Sequence, residues 1–239
     1  MNFKGTQVEK AIILWGVRWY VAYPISYRQL EEMMGERGVS VDHSTLNRWV
    51  VKYAPEVEKQ FRRCQRPVGR SSRLDETYVK IKGKSAYLYR AVDKEGHTID
   101  FLLTPMRDRD AAEAFLRKAI RTQGLPEKIT IDQSGSNTAA ITHYNKIHKT
   151  AIFIRHSKYL NNLVEQDHRA VKRLTRPMLG FKSFWSARCT IAGIETIVNL
   201  NEMFRTVFPA SFDFALLRSG RAVSDPVRAE RNPKGEVEV

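Results

Sequence analysis

The sequence predicts an α/β protein: a mixed five-stranded sheet flanked by helices, preceded by an all-α segment. Three observations predict it. Apolar residues keep helical spacing up to about residue 60, and from residue 74 they fall into alternating, β-rich runs. Between the two, Phe61 to Arg73 carries five arginines, Pro67 and Gly69, and no acid, as a linker would. After three strands in succession, strands then alternate with helices, which is how mixed sheets are built.

The all-α segment comes first. Gln7 to Ala22 is apolar and rich in aromatics, which reads as a buried helix stopped by Pro24. Ser26 is placed to cap a second helix with Leu30, Met33 and Met34 on one face. Gly38 suits a left-handed turn. Asp42 or Ser44 then caps a third helix, His43 to Tyr53, ended by Pro55. Helix, glycine-bearing turn, helix is the helix-turn-helix arrangement, with Leu46 and Trp49 facing inward. Ser44, Asn47 and Arg48 would stand on the exposed side of the recognition helix. A three-helix bundle for protein contact is the other reading.

In the second part, Leu74 to Lys82, Ser85 to Val92 and His97 to Thr104 read as strands joined by glycine-bearing turns. Asp108 or Asp110 caps a helix through Arg121. Lys128 to Asp132 is a short buried strand, Ser136 opens a helix to about Lys146, and Ala151 to Ile154 is a fifth strand. Tyr159 to Arg173 and Ser186 to Phe208 close the series as helices. The order β-β-β-α-β-α-β-α-α is the ribonuclease-H-like plan. The segments are therefore 1–60 helix-turn-helix, 61–73 basic linker, 74–208 catalytic domain, and 209–239 a polar tail.

Three acids stand out by position. Asp75 lies within a strand, where aspartate is disfavoured; Asp132 ends the fourth strand; Glu165 lies on the helix after the fifth. Their spacings are 132 − 75 = 57 and 165 − 132 = 33. In a ribonuclease-H-like sheet the first and fourth strands are neighbours, which would bring Asp75 and Asp132 together. Two carboxylates about 4 Å apart repel by roughly 4 kcal/mol at an effective dielectric near 20, so a cluster of three implies raised pKa values or a bound cation. Oxygen donors without a His or Cys partner point to a hard ion, Mg2+ or Mn2+. A pair of such ions is the usual device for phosphoryl transfer.

On the helix from Tyr159, Glu165, Arg169 and Lys172 stand at i, i+4 and i+7 and share a face. Arg169 either holds Glu165 or touches phosphate. From Arg155 to Arg188 there are eight Lys/Arg against two acids, 8 − 2 = +6. The whole chain of 239 residues carries 40 Lys/Arg against 26 Asp/Glu, or +14, and is 42% hydrophobic. That excludes wholesale disorder and calls for a polyanionic partner such as nucleic acid. Two cysteines, Cys64 and Cys189, exclude a disulfide framework. Without a signal-peptide pattern or an apolar stretch of membrane-span length, the expectation is a soluble cytoplasmic protein with no membrane partner. Gly83-Lys84-Ser85 lacks the earlier glycine of a phosphate-binding loop, since Tyr78 stands there, so ATP use is not expected. His168 either touches substrate or packs locally. Phe181 and Trp185 either stack on a base or belong to the core.

These residues also carry a resemblance. Leu74–Tyr78 (LDETY), Tyr87–Asp93 (YLYRAVD), Asp100–Leu103 (DFLL), Thr130–Asp132 (TID), Lys158–Arg169 (KYLNNLVEQDHR) and Leu179–Phe184 (LGFKSF) are similar to the DDE transposases of bacterial insertion sequences, close to the IS-six type. Arg18–Tyr20, Ser26–Arg28, Asp42–Thr45 and Arg48–Trp49 match as well, so the resemblance covers about residues 3 to 200. It implies that Asp75, Asp132 and Glu165 are the catalytic, metal-binding triad, with Lys172 as the basic residue seven positions further on. Arg169 and Arg173 join Lys172 as expected DNA contacts. The implied activity is joining the 3′-hydroxyl of an element's end to target DNA, with magnesium, without a covalent protein–DNA intermediate, and by a copying, cointegrate route. Implied partners are the terminal inverted repeats, target DNA and a second copy of the chain, in a bacterial, nucleoid-associated setting. Two departures stand out: Gln133 to Asn137 replaces a lysine-led, proline-containing loop, and the end beyond Leu200 differs from the family's short basic terminus. A DNA-binding regulator derived from a transposase and a structure-selective nuclease remain alternatives.

Overall fold

The computed structural model describes residues 1, 3, 8–63, 69–132, 134–157, 162–178 and 180–207, with backbone alone at 162–167 and 201–207. Three helices come first: α1 (Lys10–Ala22), α2 (Tyr27–Gly35) and α3 (His43–Arg62). Ser26 caps α2 through a full capping box with Gln29. Gly38 turns the chain at φ +76°, and Asp42 caps α3 by accepting the N–H groups of Ser44 and Thr45. The connection 36–42 is longer than a minimal helix-turn-helix turn.

α3 does not stop at Pro55. A proline inside a helix removes one backbone hydrogen bond, yet here the helix runs on to Arg62. The flanking turns are held by tertiary contacts: Tyr53 and Ala54 are fully buried, and Arg62 reaches the buried Asp100 carboxylate at 2.8 Å. Lys118 meets the same carboxylate at 2.9 Å. Burial alone would raise the Asp100 pKa, but the two cations outweigh it and hold the carboxyl below its ordinary range.

The sheet follows: β1 (Ser71–Ile81), β2 (Lys84–Asp93), β3 (Thr98–Thr104), α4 (Arg109–Gln123), β4 (Lys128–Ile131), α5 (Gly135–His148), β5 (Phe153–His156), α6 (Asn162–Thr175), a 3-10 turn (Arg176–Met178) and α7 (Phe184–Val207). Strand order is β3-β2-β1-β4-β5. β1 pairs antiparallel with β2 and β2 with β3, while β4 joins β1, and β5 joins β4, in parallel. Asp108 caps α4. β1 begins three residues before its alternating pattern does, because Ser71, Ser72 and Arg73 are the residues that pair with β4. β5 falls two residues later than its apolar run, since Lys128 pairs with Phe153.

The two faces of the sheet carry separate cores. Leu74, Tyr89, Ile129 and Ile131 pack with Phe115 of α4 and Ile141 of α5. Val79, Ile81, Leu88 and Phe101 pack with Val171 of α6 and Ile191 and Ile194 of α7, in a cluster that runs on into α1–α3. α7 is buried on all sides from Cys189 to Thr196, as a helix apolar all round must be. A Cβ built on Gly193 would stand 2.8 Å from Val21 and 3.0 Å from Ala54, so only glycine admits α1 and α3 this close. Met1–Glu202 forms one compact unit; of the second, Met203–Val239, the described part is helical. The tail from 209 lies outside the described residues. Among the described residues no helix is long and apolar enough to cross a membrane.

Candidate active site

Side chains alternate faces along a strand. Leu74 belongs to the α4/α5 core and Val79 and Ile81 to the α6/α7 core, so Asp75 shares the latter face. On β4, Ile129 and Ile131 face α4 and α5, which puts Thr130 and position 132 on the same side as Asp75. The parallel pairing of β1 with β4 aligns Ser71 with Lys128, Ser72 with Ile129 and Arg73 with Thr130, a constant offset of 128 − 71 = 57. The spacing of the two aspartates is also 132 − 75 = 57. Carried two residues past its last pair, Arg73 with Thr130, the same register would bring Asp75 opposite Asp132, on neighbouring strands whose usual spacing is about 4.8 Å.

Both aspartates are half-buried. Asp132 stands just past β4, its Oδ1 accepting the Ser134 N–H at 2.9 Å, which turns the chain toward α5. Its main-chain oxygen lies 3.4 Å from His156 Nδ1 on β5.

α6 crosses this face against β1 and β2. Its packing stripe is His168, Val171 and Leu174, at 5%, 1% and 7% exposure, while Arg169, Lys172 and Arg173 are exposed. The backbone of Glu165 lies in the first turn of α6, and its side chain lies outside the described residues. Lys172 Nζ sits 4.5 Å from the centre of the exposed Tyr78 ring. His168 is packed, and neither ring nitrogen has a hydrogen-bond partner among the described residues. Burial, then the nearby Arg90 and Lys172 charges, lower its pKa to about 4.

Sequence reasoning missed two groups here. The first is Glu76, beside Asp75 but on the opposite face, which accepts from Asn137 Nδ2 at 2.8 Å and Ser134 Oγ at 3.4 Å and pairs with Arg107. The second is the fully buried pair Arg90 and Glu195, 3.3 Å apart, with Arg90 also donating to Thr98 Oγ1 at 2.5 Å. Its signal was present: an arginine inside the apolar run Tyr87–Val92 and a glutamate inside apolar α7 are charges that burial forces to pair. Phe181 is 7% exposed and belongs to the core, its carbonyl accepting the Lys82 N–H at 2.9 Å. Trp185 is 58% exposed, with Arg188 5.8 Å from its ring.

On α3, Ser44 and Arg48 are exposed and Asn47 is half-buried. The Ser44 hydroxyl donates to Asp42, the Thr45 hydroxyl does so at 2.7 Å, and Arg48 donates to Thr45 Oγ1 at 2.6 Å. These bonds to hydroxyl donors keep the Asp42 carboxyl well below the usual carboxylate range.

A sheet of order β3-β2-β1-β4-β5 with its first three strands antiparallel, and helices on both faces, defines the ribonuclease-H-like class. Residues 69–203 match the family model described as "DDE domain", of the IS240 transposase type. The chain is 43% identical over 200 residues to a Staphylococcus aureus transposase for the insertion sequence-like element IS431mec, covering 83% of this chain and 88% of that one. It is 42% identical over the same length to the S. aureus transposase for IS257 in transposon Tn4003. The chain therefore belongs to the DDE transposases of IS-six-type insertion sequences. Among solved structures, the HTLV-2 integrase catalytic core in complex with magnesium aligns with a TM-score of 0.43 at 14% identity, over 54% of this chain and 85% of that one.

Proposed function

We propose that this transposase cuts DNA at the ends of its element and joins the freed 3′-hydroxyl to target DNA, with Asp75, Asp132 and Glu165 as the catalytic acids. The observation that carries this is the shared spacing of 57 residues, in the β1–β4 register and between the two aspartates. The three acids would hold Mg2+ or Mn2+, as a pair of ions: carboxylates are oxygen donors alone, and two of them, Asp75 and Asp132, share one face of the sheet. Among the described residues the compact His/Cys/Asp/Glu group is elsewhere, at Asp93, Glu95 and His97 in the β2–β3 turn, where Asp93 already accepts the N–H groups of both partners. When bound, such ions supply Lewis-acid activation of the attacking oxygen and stabilise charge at the leaving oxygen.

The protein's own part is to seat two strands of DNA against that face. Lys172, Arg169 and Arg173 lie on the exposed side of α6 and would take phosphates. Residues 1–60 would read the terminal inverted repeats through Ser44, Asn47 and Arg48, residues 61–73 would track phosphates between reader and catalytic domain (74–208), and 209–239 would be an accessory tail. Two ends must be brought together, so the working form would be a dimer or larger. The setting is the bacterial cytoplasm on the nucleoid, and the route is copying, through a cointegrate.

The test is a strand-transfer assay with Mg2+ on DNA carrying the repeats that flank the gene, wild type beside Glu165→Gln. Wild type yields joined strands and the variant none, with end binding kept in both. Free ends without joining would make the protein a nuclease, and binding without either product would make it a regulator.

A further inference from the structure

We propose that Arg90 is a positioning residue of this site: a fully buried guanidinium, clamped by Glu195 of α7 and Thr98 of β3, that fixes the seat of Asp75 against α6. The inference rests on the reading of Asp75 as a catalytic acid.

Four elements meet at this one side chain. Arg90 is the Cα partner of Asp75 in the β1–β2 ladder, so the two project on the same face with Cβ atoms roughly 5 Å apart. On β3, Thr98 Oγ1 accepts from Nη2 at 2.5 Å; on α7, the Glu195 carboxylate lies 3.3 Å from the same nitrogen. On α6, His168 is close enough for the guanidinium to disfavour its protonation. The side chains of Arg90 and Glu195 are both 0% exposed.

Stability alone does not account for such a pair. Taking both charges out of water offsets much of their attraction, and buried ion pairs can often be replaced by well-packed apolar residues without loss. The neighbourhood offers that option: Leu88, Phe101, Ile191 and Ile194 are all buried on this face. What an apolar pair cannot do is present a flat, fixed array of N–H donors beside a strand-borne carboxylate. A carboxylate that must share a cation with Asp132 and with a residue on α6 needs its orientation set before the cation arrives, because geometry held in advance costs nothing at the moment of reaction. α7 carries the counter-charge from its segment Cys189–Thr196, which is buried on all sides, so the clamp is anchored in the core.

The decisive variant is the double replacement Arg90→Met/Glu195→Leu, which removes the clamp without leaving either charge unpaired. Each single replacement should lower Tm, and the double should recover most of it. In the recovered double variant, Mn2+ binding measured by EPR of the free ion should weaken about tenfold. Strand transfer should slow at least tenfold, with binding of repeat DNA unchanged. Wild-type Mn2+ affinity and joining rate in the double variant would overturn the proposal and leave the pair a packing feature. If the double variant does not fold, Arg90→Lys keeps the buried charge but loses the fork; it should lower kcat without raising KM for DNA, and wild-type kcat there would equally overturn the proposal. Asp75→Asn run alongside separates the two readings: joining by that variant would remove the catalytic assignment itself, independently of what Arg90 does.

Discussion

Asp75 and Glu76 are neighbours in the chain and opposites in the fold. Glu76 has its side chain 3% exposed on the α4/α5 face, where Asn137, Ser134 and Arg107 take up its oxygens and tie β1 to the start of α5. Asp75 projects to the other side, in line with Asp132, beneath α6 and beside Arg90. The difference is one residue in a period of two. It teaches that an acid is marked for chemistry by what shares its face. One side of the sheet spends its carboxylate on structure; on the other, Asp75 and Asp132 share the face that α6 crosses.

The largest expected effect breaks the comparison if it fails. Asp75→Asn should abolish strand transfer, a loss of at least about 1,000-fold, while Tm stays near that of the wild type; retained joining would deny Asp75 its role. His168 sharpens the same face through pH. Its pKa of about 4 in the folded protein lies below the ordinary 6.5, so the unfolded chain binds the proton more readily. Its contribution to stability is present above pH 6.5 and is lost as pH falls toward 4, on the order of 3 kcal/mol over the window. Thermal melts of wild type and His168→Leu from pH 7.5 to 4 should diverge in slope in that window alone, the variant being flatter. Parallel slopes would mean that His168 titrates normally.

On the opposite face, Glu76→Ala should cost about 2 kcal/mol, because Asn137, 1% exposed, loses the acceptor for its amide. Arg107 is half-exposed and recovers water, so it adds little. Urea unfolding measures this loss, and the joining rate per folded molecule should stay within a few-fold of wild type. A collapse of activity at full stability would move Glu76 into the site. The smallest effect is expected at Lys172→Ala: removing one phosphate contact should flatten the salt dependence of DNA binding by about 0.9 in log–log slope. An unchanged slope would leave Lys172 as a partner of Tyr78 only.

Much of this was legible in the residues. The N-cap at Ser26 and the left-handed turn at Gly38 are local choices, settled within three or four residues, and the sequence reads both correctly; between Asp108 and Asp110 as the cap of α4 it does not choose, and the structure takes Asp108. So did the order of strands and helices, because the apolar period names the element type. α3 was misjudged because the effect of Pro55 is local but its compensation is not: Arg62 finds Asp100 across 38 residues. The sequence leaves Phe181 open to base stacking or core, and its bridge to Ile81 of β1 decides for the core. Arg90 and Glu195 each looked like an intrusion in an apolar run, and neither names the other.

By itself, then, the sequence determined the kind of each element and the interval of 57 between Asp75 and Asp132, since period and spacing are properties of the chain. Only the tertiary structure decided that β1 and β4 pair at that same interval, that Glu76 turns away from the site, and that the buried charge at Arg90 is answered from a helix 195 − 90 = 105 residues later. Register and charge pairing are won by packing between distant elements, and no local pattern carries that choice.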